Sequence, residues 1–301
     1  MRNIFSLLLL LCSFFAFGQK EDSVAISEIF KIEDSLLNKI ISENDTISID
    51  SKSISHIQSE ILLKYDQFIA TYPNSEYLFT AFLGKASNEQ GLNQRDNAKK
   101  SYLFCLKLTE DQKNGKEHDN QFLSSSKNSY LNQIYKNLAD IELENNNFTE
   151  AVKFLDKANE HPFQSFCGNA IAMREIFMAE KYSKCYIGLK ENEKALDILI
   201  PLLIENGLAD NSEIIKQAYD LLLKNNTKED LKIKFEKAFK NLISEKKMSG
   251  TNKYTAYSIK FLDRNVTLPY WKLYDTTTKK DRAEIVKNIL KDSKFYAFLK
   301  N

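Results

Sequence analysis

The sequence predicts an all-α fold: an α-solenoid of paired antiparallel helices, closed by a small C-terminal β-hairpin and helix. Three observations predict it. First, an apolar residue is followed three times at +4, +16, +20 and +23 by small or apolar ones, in Phe82-Ala86-Ala98-Tyr102-Cys105, Tyr135-Ala139-Ala151-Leu155-Ala158 and Ala179-Ser183-Ala195-Leu199-Leu202. Small side chains at matched intervals let helical hairpins nest against one another. Second, Gly and Pro are scarce, 8 and 4 in 301 residues, which favours long helices with short links. Third, the pattern changes after Gly250: Tyr254, Tyr257, Ile259 and Phe261 lie in an eight-residue run of strand character.

The elements follow in order. Residues 1–18 read as a signal peptide: Arg2, an apolar run from Ile4 to Phe17, and small residues Ala16 and Gly18 before a cut at Gln19. The alternatives are an uncleaved anchor, or lipidation at Cys12. Residues 19–73 read as an N-terminal helical hairpin. Its first helix, 24–41, carries Ile26, Ile29, Phe30 and Leu36 at helical spacing; its second, 53–70, carries Ile57, Ile61, Tyr65 and Ile69. Pro73 stops it and Asn74-Ser75 caps the next.

Residues 74–248 read as helical repeats. The first pairs 76–90 with 94–109, ending helix A at Gly91. The polar insert 110–126 reads as a mobile loop or a frayed helix end. The second pairs 129–144 with 149–159, turning at Asn145-Asn146-Asn147 and capped by Thr149-Glu150. The third pairs 170–190 with 193–205; Pro201 kinks or ends the latter and Gly207 is a stop. A degenerate fourth pair, 214–223 and 229–243, has larger residues: Ile215, Tyr219, Leu231, Phe235 and Ala238. Residues 249–301 read as a cap: a β-hairpin turning at Asp263-Arg264-Asn265, a helix over 280–290, and the aromatic tail Phe295-Tyr296-Phe298-Leu299.

The three sets resemble the tetratricopeptide-repeat (TPR) family over about residues 55–245, and Tyr72-Pro73-Asn74-Ser75-Glu76-Tyr77 is similar to a segment of bacterial, Bacteroidetes-type envelope TPR proteins. The resemblance implies a right-handed α-solenoid whose first helices line a groove for a peptide or protein partner. Carried over by position, the groove residues are Thr80, Leu83, Ser87, Gln90, Gln133, Lys136, Asp140, Leu143, Phe177, Glu180, Lys184 and Ile187. Equivalent alanines Ala98, Ala151 and Ala195 are 53 and 44 residues apart, longer than the family period of about 34.

Composition excludes several classes. Lys and Arg total 42 and Asp and Glu 41; losing Arg2 with the signal leaves 41 of each. With no basic block, nucleic acid is not an expected partner. No second apolar run is long enough to span a bilayer after signal cleavage. No phosphate-cradling Gly-rich loop, HExxH, GxSxG or EF-hand loop occurs, so no cofactor and no metal are expected and the chain reads as non-catalytic. The alternative is a thiol-dependent enzyme using Cys167 with His161. In an oxidising compartment Cys167 and Cys185 are a possible disulfide, and Cys105 reads as a buried thiol. His56 and His118 read as solvent-facing. Tyr270, Trp271 and Tyr274 read as core of the cap, with a binding platform as the other possibility. Nothing in the sequence sets the oligomeric state.

Overall fold

The computed structural model describes residues 21–36, 38, 51–113, 121–162, 167–205, 207–249, 252–269, 273 and 279–300. The expected signal segment 1–18, the middle of the polar insert and the Tyr270-Trp271-Tyr274 cluster lie outside them. The described residues are mostly helical, with one small antiparallel sheet among them. The chain divides into two compact units, Met1–Ile134 and Tyr135–Asn301.

In the first unit, α1 (21–36) buries Ile26 and Ile29 against α2 (Ser51–Thr71), which contributes Ile61, Tyr65 and Phe68. The expected cap Ser75 works one turn early: its hydroxyl accepts from Tyr77 N at 3.1 Å and donates to Asp22 at 2.6 Å, fixing the start of α1. Then come α3 (Leu78–Gly91) and α4 (Arg95–Lys113), packed on each other. α5 (Gln121–Glu144) starts eight residues before the expected helix, so the insert is largely helix at both ends. The boundary between the units falls within it.

The second unit continues with α6 (Phe148–Glu160), α7 (Gly168–Gly188) and α8 (Asn192–Leu199). Asn147, not Thr149, stands before α6. Pro201 sits in a 3₁₀ turn, Ile200–Leu202, that ends α8: a ring without an N–H cannot continue the ladder. Next are α9 (Ser212–Leu222) and α10 (Lys228–Ala238).

The small residues of the pattern are buried. Ala86, Ala98, Ala139, Ala151, Ser183 and Ala195 have no exposed surface, and Ala179 retains 5%. The turns repeat too. Asn93, Asn146 and Lys190 each take a left-handed conformation (φ 59°, 59° and 62°) between first and second helices. Each turn carries the same two reversed hydrogen bonds, such as Asn93 N to Gln90 O and Gln94 N to Glu89 O. That Schellman geometry satisfies the last carbonyls of a helix. The expected stop Gly91 is the last helical residue of α3; the left-handed residue comes two later.

The C-terminal part departs from expectation. α10 ends at Ala238, and the residues read as its last turn open β1 (Leu242–Ser249). β1 pairs antiparallel with β2 (Asn252–Phe261), which pairs with β3 (Arg264–Leu268), giving a three-stranded meander rather than a hairpin. The β2–β3 turn residues are Leu262 and Asp263, both at positive φ (49° and 63°), one position before the expected turn. α11 (Lys279–Lys291) matches expectation, and the aromatic tail forms its own helix, α12 (Lys294–Lys300). Phe235 of α10 is the hub of this region, with ring centroids 5.1 Å from Phe261 and 5.0 Å from Phe295 in edge-on geometry.

Candidate binding face

Two helical rows in the second unit bring together three expected groove residues. Lys136 and Asp140 stand one turn apart on α5; Phe177 and Lys181 stand one turn apart on α7. The Lys136 ammonium lies 4.7 Å from the centre of the Phe177 ring and the Lys181 ammonium 5.0 Å from it. Lys181 also pairs with Asp140 at 2.6 Å, both side chains three-quarters buried. The contacts occur in the same order on both helices, so α5 and α7 run in the same direction across this face. A cation over an aromatic face gains about 0.5–1 kcal/mol when exposed and about 2 when desolvated.

Charge on this face is uneven. Burial pulls Lys136 below the ordinary lysine range; Asp140 opposes the shift, while the charges of Arg174 and Lys181 add to it. Asp140 is held by Lys181, and among the described residues no carboxylate comes within ion-pair distance of Lys136.

The other expected groove residues are spread more widely. Leu143 packs into the cluster that also holds Phe177, and Ile187 packs against the core around α8 and α9. Glu180 is half-buried and Lys184 exposed. Burial lifts the Glu180 carboxyl above the usual range, with Lys184 opposing and Glu213 adding. Thr80, Leu83, Ser87, Gln90 and Gln133 belong to the first unit. Gln90 is occupied inside it, accepting from the Tyr102 hydroxyl at 3.0 Å, and Gln133 is exposed.

The possible Cys167–Cys185 disulfide is corrected. Cys105 and Cys185 are buried, and Cys167 is exposed. Cys167 directly precedes α7 and Cys185 lies in its last turn, eighteen residues on. At about 1.5 Å of rise per residue that separates them by about 27 Å, whereas a disulfide needs Cα atoms within about 7 Å. The same helix forbids the bridge. Burial pushes the Cys185 thiol up to about 11 and the Cys105 thiol higher still, so neither is an activated nucleophile. Cys167 is exposed; the ring of His161 lies flat on Tyr135, 5.8 Å between centroids. His56 is solvent-facing as expected, 3.5 Å from Glu60. Among the described residues no group of three or more His, Cys, Asp or Glu side chains could hold a metal, and no helix is long and apolar enough to cross a membrane.

Two clefts were not anticipated. One, of about 630 Å³, lies among α6, α7 and α8, lined mainly by Ile171, Met178, Tyr182, Tyr186, Ile198 and Leu202. Tyr182 donates to Asp156 at 2.7 Å and accepts from Asn159 at 3.0 Å, so its hydroxyl is spoken for. The other, of about 400 Å³, lies in the first unit around Asp66, Lys85, Glu89 and Ser101. Its polar groups are largely paired among themselves: Lys85 with Asp66, and Ser101 donating to Glu89 at 2.7 Å.

No protein-family model matches the chain, and no curated protein matches it. Among solved structures, BtubC (BKLC) from P. vanneervenii is similar at 14% identity and a TM-score of 0.40, over 68% of this chain and 83% of that one. A likeness of that size bears on neither fold nor function.

Proposed function

We propose that this protein is a non-catalytic, exported interaction scaffold that takes a protein or peptide segment against the α5–α7 face. On this reading residues 1–18 are a secretory signal, the mature chain works in the periplasm or at the outer membrane, and the helix pairs form a right-handed, TPR-like α-solenoid. Support for the repeat comes from the three identical Schellman turns and the buried small residues beside them. The observation that carries the binding reading is Phe177, half-buried on α7 with an ammonium from each of two helices over its ring. Aromatic and cationic groups held by packing lose little conformational freedom when a partner arrives.

A random-peptide display library tests it. Selection on the wild-type protein, with counter-selection on Phe177→Ala, is expected to enrich peptides that bind the wild type at least tenfold more tightly. Enriched peptides that bind both proteins equally would remove the α5–α7 face from the reading. Export is tested separately: N-terminal sequencing of protein from the host envelope is expected to begin at Gln19.

A further inference from the structure

On the α5–α7 face two ammonium groups, those of Lys136 and Lys181, lie over one aromatic ring, that of Phe177. Asp140, one turn from Lys136 on α5, is the carboxylate paired on this face. Asp140 is committed to Lys181 at 2.6 Å. Lys136 is left half-buried against Phe177, with no carboxylate in ion-pair range among the described residues. A partly desolvated ammonium in a cationic neighbourhood is stabilised by any anion that reaches it, and a rigid aromatic beside it offers an apolar surface to the residue next to that anion. We propose that this face binds an acidic, extended segment of a partner protein, an aspartate or glutamate side chain pairing with Lys136 while an adjacent apolar residue packs on Phe177. The inference rests on the scaffold reading and names the chemistry of its partner. Complementary charge of this kind sets specificity and association rate more than total affinity, so binding weakens as salt rises.

The test uses three fluorescent peptides in anisotropy titrations of the full-length mature chain. One alternates Glu and Leu with both ends capped. The second has Gln in place of Glu. The third is the Gln peptide with a free C-terminal carboxylate. The capped acidic peptide is expected to bind at least tenfold more tightly than the capped Gln peptide, and less tightly in high salt. Lys136→Met keeps a long apolar side chain over Phe177 and removes the charge. It is expected to lower affinity for the acidic peptide at least tenfold and leave the Gln peptide unchanged, with an unaltered melting temperature. Equal binding of acidic and Gln peptides, no binding of the acidic peptide, or acidic binding indifferent to Lys136→Met overturns the proposal. Preference for the free-carboxylate peptide alone overturns it in favour of a chain terminus as the ligand. If display selection yields neutral peptides that need Phe177 but not Lys136, the scaffold reading stands and only the acidic partner falls.

Discussion

The two units close their helix pairs by different means. In residues 1–134, polar side chains reach across helices at depth: Ser75 donates to Asp22, Asn88 to Glu33 and Ser101 to Glu89. In residues 135–301 the interior from α7 to α12 is mainly apolar, with the buried Ser183 donating to Gln217 inside it. Apart from the sheltered Lys181–Asp140 pair, the ionic links there are at the rim, where Arg264 holds Glu193 and Asp197 and Lys294 holds Asp210. One pattern of small residues serves both, so the small residues set how closely helices approach, not what fills the remaining space. An apolar interior depends on shape, whereas a buried polar network depends on partners and on pH.

Phe235→Ala tests the shape-dependent half. Phe235 has no exposed surface and meets Phe239, Phe261, Phe295 and Tyr296. Truncating it is expected to cost about 3–5 kcal/mol, read by denaturant unfolding. Hydrogen exchange should show the loss in β2 and α12 while α3 amides keep their protection. A loss of about 1 kcal/mol or less would mean the aromatic cluster is loosely packed and the contrast overstated.

Gly84→Ala probes close approach in the first unit. A Cβ on Gly84 would run into the ring and hydroxyl of Tyr65, itself fully buried. Alanine is the better helix former by about 1 kcal/mol, so a gain in stability is the expectation from propensity alone. Overpacking is expected to win, with a net loss of about 1–3 kcal/mol by denaturant unfolding. A stabilised variant would show that Tyr65 moves aside easily.

Arg264→Ala addresses the rim. The guanidinium bonds Asp197 at 2.6 Å and Glu193 at 2.8 Å, but both carboxylates are well exposed. Surface pairs contribute about 0–1 kcal/mol, and this two-armed one belongs near the top of that range. The expected loss, about 1 kcal/mol, should shrink in high salt. A loss as large as that of Phe235→Ala would mean that the rim, not the aromatic interior, holds the sheet to the helices.

Much of this contrast was legible in the sequence where burial is one-sided. The spacing of Ala98, Ala151 and Ala195 marked helix contacts, and each is fully buried. β1 was missed because its residues are exposed almost throughout: with Glu245, Lys246 and Lys247 facing solvent, no alternation separates it from a helical tail. α12, seven residues long, is too short for a helical period to register. On the α5–α7 face, Lys136, Asp140 and Phe177 could be named from repeat position, but Lys181 could not, because its pairing with Asp140 depends on how α5 and α7 align. The absence of a Cys167–Cys185 bridge could have been read directly: a continuous helix between two cysteines holds them apart. The polar network of the first unit was out of reach, since it joins residues as distant as Asn88 and Glu33 on separate helices.

The smallest expected effect has the opposite sign. Glu89 is buried on α3, and burial lifts its carboxyl above the ordinary value of 4.5; the Ser101 hydroxyl and the Lys85 charge oppose the shift, and Asp66 adds to it. Folding therefore favours the protonated form. The stabilising contribution is present below 4.5 and is lost as pH rises through the raised value, so the first unit weakens toward neutral pH. Glu89→Gln keeps an acceptor for the Ser101 hydroxyl and carries no charge. It is expected to raise the stability of the first unit at neutral pH by a few tenths of a kcal/mol, to flatten its pH dependence above 4.5, and to leave β2 protection unchanged in hydrogen exchange. Glu33, also lifted by burial, supplies a second part of the same slope, and Glu33→Gln should remove that part. If Glu89→Gln instead weakens the first unit at neutral pH, Lys85 is stabilising the charged carboxylate more than burial opposes it, and the network there is an ion-pair core rather than a pH-sensitive one.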